Sequence, residues 1–168
     1  MHINQRGAAS LGIAIAISVS IGGMILLLSL ISPLTSWRDA LNINHSINAI
    51  TQAATLSYQH DVMQSRCLRQ TGLMNVQRLI NEQQLPHDIN QGLWRFDVTL
   101  TDLTINTWTR PSQIEVKLTF NHQADMQAVI GHLPPSKADN LTLIFSSPLR
   151  IDVTDNWAVF NKQTGCYQ

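Results

Sequence analysis

The sequence predicts an α+β fold, in which a long N-terminal helix precedes a small antiparallel β-sheet domain. Residues 7–32 carry no charged side chain, the residues after them place apolar side chains at helical spacing, and two later segments alternate apolar and polar residues. Strands that follow a helical region are typical of this class. The predicted boundaries are a leader at 1–7, a membrane helix at 8–32, an amphipathic extension at 33–64 and a globular domain at 65–168.

The uncharged segment 8–32 is long enough to cross a bilayer. About 20 apolar residues in a helix span the roughly 30 Å hydrocarbon core, and a helix satisfies its own backbone hydrogen bonds there. Gly12, Ala16 and Ser20 lie four apart, as do Ser18 and Gly22. Small residues at this spacing would let a second helix approach closely, although a lone anchor would also tolerate them. The candidate helix-packing residues are Gly12, Ala16, Ser20 and Gly22.

A retained anchor is favoured over a cleaved secretion signal. A signal has an apolar core of roughly 7–15 residues and a small-x-small exit, whereas this segment is longer and leads into Pro33. Arg6 and the amino terminus lie before it, and Arg38 beside Asp39 follows it. By the positive-inside bias, we expect a single-pass protein whose C-terminal domain lies outside the cytoplasm.

Beyond Pro33 the sequence predicts that the helix continues, with a bend, to about Met63. The apolar positions two to four residues apart predict one buried face. These positions are Trp37, Leu41, Ile43, Ile47, Ile50, Ala54 and Tyr58.

The globular domain is predicted to contain two short helices and five strands. Thr71–Gln84 is the first helix, with Leu73, Val76, Leu79 and Ile80 inward. Period-two alternation predicts strands at Leu93–Ile105 and Ile114–Phe120, joined by a turn at Thr109–Ser112. The remaining predicted elements are a helix at Ala124–Leu133 and strands at Leu141–Ser146, Leu149–Val153 and Trp157–Phe160.

The two cysteines, Cys67 and Cys166, predict a disulfide in an exported domain. The bridge would close a loop of about 100 residues and stabilise the fold by up to ~4–5 kcal/mol in the chain-entropy model. Two free thiols are the alternative. A metal site is not expected, because there is no Cys-x-x-Cys pair.

No pattern in the sequence indicates catalysis or a cofactor. Formal net charge is zero and only 13% of residues are charged, so nucleic-acid binding is not expected. The histidines lack the spacing of metal ligands, and there is no nucleophile elbow or phosphate-binding glycine loop. We therefore expect a protein that is not an enzyme and that has no catalytic residue, no metal and no cofactor.

The chain resembles type IV pilin-like proteins over its first sixty residues and, in outline, in its sheet domain. The resemblance consists of Arg6-Gly7 directly before the uncharged segment, then an amphipathic helix, a small sheet and the late Cys166. It implies cleavage by a prepilin peptidase after Gly7, so that the mature chain begins at Ala8. The segment Asn44–Tyr58 also resembles the pseudopilins of tight-adherence (Tad) systems.

One position departs from that family's pattern. The family usually has glutamate as the fifth mature residue, where it is thought to neutralise a neighbouring subunit's amino terminus, and Gly12 occupies that position here. The resemblance therefore implies a minor or tip-located pilin or pseudopilin rather than a major subunit.

Two functions follow as hypotheses. The first is a structural subunit of a type IV-type pilus or secretion filament, held in a bacterial inner membrane with its domain in the periplasm. Its partners would be other pilin-like subunits, the prepilin peptidase and an assembly platform. The alternative is a single-pass adaptor or binding protein of an envelope complex, which would keep residues 1–7.

Overall fold

The computed structural model describes residues 6–69, 72–82, 84–105, 108–150 and 160–167, with side chains from residue 35 onward. Its order of elements confirms the α+β class, with a helix followed by a small antiparallel sheet. The elements are α1 (Arg6–Ser65), α2 (Val76–Asn81), β1 (Trp94–Ile105), β2 (Trp108–Phe120), α3 (Gln123–Ile130), β3 (Lys137–Asp139), β4 (Thr142–Pro148), β5 (Phe160–Asn161) and β6 (Cys166–Tyr167).

Helix α1 is continuous over 60 residues and passes through Pro33. The chain divides between Asp39 and Ala40 into two compact units. The second unit contains the C-terminal part of α1 together with every other helix and strand named above.

From Ala40 onward, α1 buries one stripe of side chains against the rest of its unit. The stripe follows the predicted spacing through Ile43, Ile47, Ile50, Ala54 and Tyr58, which belong to one apolar core. The prediction was wrong for Leu41 and Trp37, which are 48% and 55% exposed. Positions two apart on a helix point about 200° apart, so Leu41 cannot share a face with Ile43, and Trp37 lies one turn before Leu41 on the same side.

The main sheet has the strand order β1-β2-β4-β3, and all of its neighbouring strands are antiparallel. Alternate side chains face the core, so the predicted inward residues of β1 and β2 pair with one another across the strands. Opposite positions are Phe96 with Leu118, Val98 with Val116 and Leu100 with Ile114. The other face of the sheet carries polar residues, as expected for a sheet that covers a core on one side.

The predicted turn at Thr109–Ser112 was wrong, because these residues lie inside β2. Thr101 is opposite Gln113 and Asp102 is opposite Pro111, so Ser112 is an extra residue, a β-bulge. A proline, which has no N–H to donate, is tolerated at such a bulge. Leu149 N–H donates to Ser112 O there, at 2.9 Å.

The shorter elements differ from prediction mainly at their ends. Helix α2 begins only at Val76, because the Asn75 side chain accepts a hydrogen bond from Arg78 N–H and caps it, and this leaves Leu73 85% exposed. Strand β4 ends at Pro148, so Leu149 and Arg150 are not in a strand, and Phe160 begins β5. The other residues of the last two predicted strands, 151–153 and 157–159, and the predicted turn between them lie outside the described residues.

Candidate functional site

The predicted disulfide between Cys67 and Cys166 is confirmed, with an S–S distance of 2.03 Å. The two cysteines form an isolated antiparallel bridge. Leu68 N–H donates to Gly165 O at 2.8 Å, and Tyr167 N–H donates to Arg66 O at 2.7 Å. We call this arrangement of residues 66–68 and 165–167 the disulfide clasp. It fastens the chain just after α1 to the C-terminal strand β6.

At the end of α1 the chain turns and continues directly into the clasp. Arg66 has a φ of 54°, the left-handed conformation that often follows the last turn of a helix. Ser65 Oγ donates to Asp61 O at 2.7 Å and accepts from Cys67 N–H at 3.2 Å. One hydroxyl therefore satisfies a carbonyl of the last turn and a backbone N–H of the clasp.

Tyr58, on the buried side of α1, makes a hydrogen bond to the disulfide clasp. Its side chain is fully buried, and its hydroxyl donates a hydrogen bond to Leu68 O. Burial raises the pKa of Tyr58 to about 12, against a smaller opposing effect of the Arg110 guanidinium. The hydroxyl therefore stays protonated and available as a donor at neutral pH.

We expect Tyr58→Phe to lower the free energy of unfolding by about 1–2 kcal/mol, because Leu68 O loses a buried donor. The pKa of the folded tyrosine lies above its unfolded value. Its contribution is thus complete below pH 10 and is lost as pH rises through about 12. Urea unfolding at pH 7 and pH 11 measures both effects. The difference between wild type and Tyr58→Phe should shrink at the higher pH, and an unchanged difference would contradict this role.

An aromatic cluster holds the C-terminal segment. Trp108 Nε1–H donates to Lys162 O at 3.0 Å, and its ring meets Phe160 edge-on, with ring centres 6.2 Å apart. Phe160 in turn packs against Tyr167 at 5.2 Å. Gly165, with a φ of 72°, lies against the Trp108 ring, where a Cβ would be 2.5 Å from a ring carbon. Only glycine fits this position, for both conformational and steric reasons.

A charged cluster joins α1 to α2 beside the core. Arg78 Nη2 donates to Asp61 Oδ1 at 2.6 Å, and Arg78 Nε donates to Glu82 Oε1 at 2.7 Å. The hydrogen bond to Asp61 is the main reason that the pKa of Arg78 is raised. The ion pair with Asp61 holds α2 against α1. The guanidinium of Arg78 is already occupied by the two carboxylates.

The solvent-facing side of α1 has no formal charge between Asp39 and Asp61. Charged residues are normally common on an exposed helix surface and are depleted at the centre of protein interfaces. We call the exposed residues on this side of the helix the outer face of α1. They are Leu41, Asn42, Asn44, His45, Asn48, Gln52, Leu56 and His60.

The residues predicted for processing and for helix packing all belong to α1. Their backbone is described, but their side chains are not. These residues are Gly7, Ala8, Gly12, Ala16, Ser20 and Gly22. No helix qualifies as a membrane span where the structure describes the chain. The predicted membrane helix at 8–32 falls on residues whose side chains it does not describe.

Three contacts near the clasp were not predicted from sequence: Tyr58–Leu68, Trp108–Gly165 and Asp61–Arg78. For the Trp108–Gly165 contact, the available signal in the sequence was the glycine directly before Cys166.

The described residues contain no group of three or more His, Cys, Asp or Glu side chains able to hold a metal ion. Comparison of the chain with protein-family models, curated proteins and solved structures finds no match.

Proposed function

We propose that this protein is a pilin-like structural subunit, a minor pilin or pseudopilin, of a type IV-type pilus or secretion filament. The observation that carries the proposal is α1, a 60-residue helix that begins at Arg6. It contains the uncharged segment that directly follows Arg6-Gly7 and continues into a part that packs on a sheet. A subunit that must pass from a membrane into a helical filament core needs such a helix.

The mechanism would be assembly rather than catalysis. The apolar segment 8–32 stores the subunit in the inner membrane, and cleavage after Gly7 makes it competent to assemble. Residues Ala8–Tyr58 then pack laterally against other subunits. The outer face of α1 supports this step, because its lack of charge allows it to be covered by a neighbour without burying an ion. Gly12 in place of the family's glutamate favours a minor or tip position.

The adaptor hypothesis differs in what the outer face of α1 does. An adaptor that binds its partner through the sheet would leave that face in water, where one added charge has little effect. A filament subunit would bury it. The two functions therefore predict different responses to a charge placed there.

Gln52→Glu places a carboxylate at the middle of the outer face of α1 without changing side-chain shape. Burial of an unpaired charge costs several kcal/mol, so we expect the subunit in sheared surface filaments to fall at least about tenfold, while its amount in the membrane is unchanged. The matched control is Gln127→Glu, the same change at an exposed position of α3. Equal incorporation of the two variants would contradict the packing mechanism.

A further inference from the structure

Strand β1 forms one edge of the main sheet, and part of that edge is already protected. The Asn90 side chain accepts from Phe96 N–H at 2.7 Å and donates to Phe96 O at 3.0 Å. Asp97 Oδ1 accepts from Val98 N–H at 2.9 Å. These bonds identify the even-numbered residues of β1 as those whose backbone groups point away from β2.

The same alternation continues to the end of β1. The extra residue of the bulge, Ser112, belongs to β2, so β1 keeps its period. The backbone N–H and C=O groups of Leu100, Asp102 and Thr104 therefore point outward. No described residue hydrogen-bonds to them. We call Leu100–Ile105 the open edge.

The open edge has little of the usual protection of a sheet edge, because it has one charged residue and the adjacent bulge lies in β2. Natural edge strands carry lysine, proline or an inward charge, or are covered. The open edge reads L-T-D-L-T-I, with one charged residue and no proline. Its middle residues are exposed, and Leu103 is 48% exposed. This composition favours pairing with another strand.

We propose that the open edge pairs antiparallel with the open edge of a second copy of this chain, with Leu103 on the two-fold axis. Leu103 then faces its counterpart in a non-hydrogen-bonded pair, where side chains are closest. Asp102 faces Thr104 of the second copy through their outward backbone groups. Placing the axis at Asp102 instead would oppose two like charges, which is destabilising. Charge therefore disfavours the register centred on Asp102, and the register centred on Leu103 buries the exposed leucine.

The size of the contact limits its strength. In this register five residues of each open edge, 101–105, are paired, and they bury much less than the roughly 800 Å² per partner of a standard stable interface. The pairing is thus weak in dilute solution and forms where copies are held close together, for which sharing one membrane suffices. The pairing rests on the membrane anchoring proposed above and does not depend on cleavage of the leader. As a two-fold contact it joins subunits in pairs and does not by itself extend a filament.

Leu103→Cys in the full chain, reconstituted in liposomes and mildly oxidised, tests the pairing. We expect roughly tenfold more disulfide-linked dimer than from Leu73→Cys, because aligned cross-strand cysteines meet at a high effective concentration. Leu73 is the matched control, since it is more exposed than Leu103 and lies outside the sheet. Cys67 and Cys166 are already bridged and do not compete.

A second variant tests the backbone contact itself. Thr104→Pro removes an outward N–H and spares the ladder to β2, so in the Leu103→Cys chain it should abolish the dimer while the melting temperature changes little. A Leu103→Cys dimer no more abundant than that of Leu73→Cys overturns the proposal. A Leu103→Cys dimer that survives Thr104→Pro in a folded chain also overturns it.

Discussion

Replacing both cysteines by serine is expected to lower the free energy of unfolding by about 4–5 kcal/mol, the largest effect of any change considered. The bridge joins residues 99 apart, so its removal restores the conformational entropy of a long loop to the unfolded chain. Without the disulfide, only noncovalent contacts, including the two backbone hydrogen bonds, hold the clasp together.

Urea unfolding of the Cys67→Ser/Cys166→Ser chain beside wild type measures this loss. The control is reduction: a dithiol reductant should lower the stability of wild type to that of the double variant and leave the double variant unchanged. A loss below about 1 kcal/mol would show that the clasp is held by its other contacts and that the disulfide adds little.

Gly165→Ala is expected to lower the free energy of unfolding by about 2–4 kcal/mol, because a left-handed φ and a steric clash act together. The new methyl group would lie 2.5 Å from the Trp108 ring, so the ring or the 162–165 turn must move. That movement would also weaken the contacts of Phe160 and Tyr167.

The matched control for this change is Gly131→Ala at the end of α3. Gly131 has a φ of −67°, and an added Cβ there meets nothing within 4 Å. Alanine should be neutral or slightly stabilising at that position. Thermal unfolding of the two variants separates the cost of the Trp108 contact from the general cost of replacing glycine, and equal melting temperatures would refute the packing argument.

The sheet could be predicted where one local pattern decides the structure. Period-two alternation in β1 and β2 predicts which face of each strand is buried. Their register was not predicted, because the turn was placed at Thr109–Ser112, inside β2. Pro111 misled the prediction because proline is commonest in turns, whereas here a bulge accommodates it within β2. Nothing local distinguishes these two settings of the same residue.

Of the candidate site, only the disulfide could be predicted from the sequence. Two cysteines allow one possible pairing within the chain, and that pairing is confirmed. The contacts of Trp108 with Gly165 and of Asp61 with Arg78 join positions far apart in sequence, and no periodicity specifies them. Tyr58 was correctly placed on the buried stripe of α1, but its hydrogen bond to Leu68 depends on how the chain turns after Ser65.

A processed, filament-forming subunit must have a mature amino terminus at Ala8, behind the peptidase site. The measurement that tests this most directly is the intact mass of the protein recovered from its native membrane. It should be made on wild type and on Gly7→Val, a change expected to block the peptidase. We expect wild type to begin at Ala8 and Gly7→Val to keep Met1. A wild-type chain that begins at Met1 would contradict the proposed function and favour the anchored adaptor, and one that begins beyond Ser32 would show that the segment is a secretion signal.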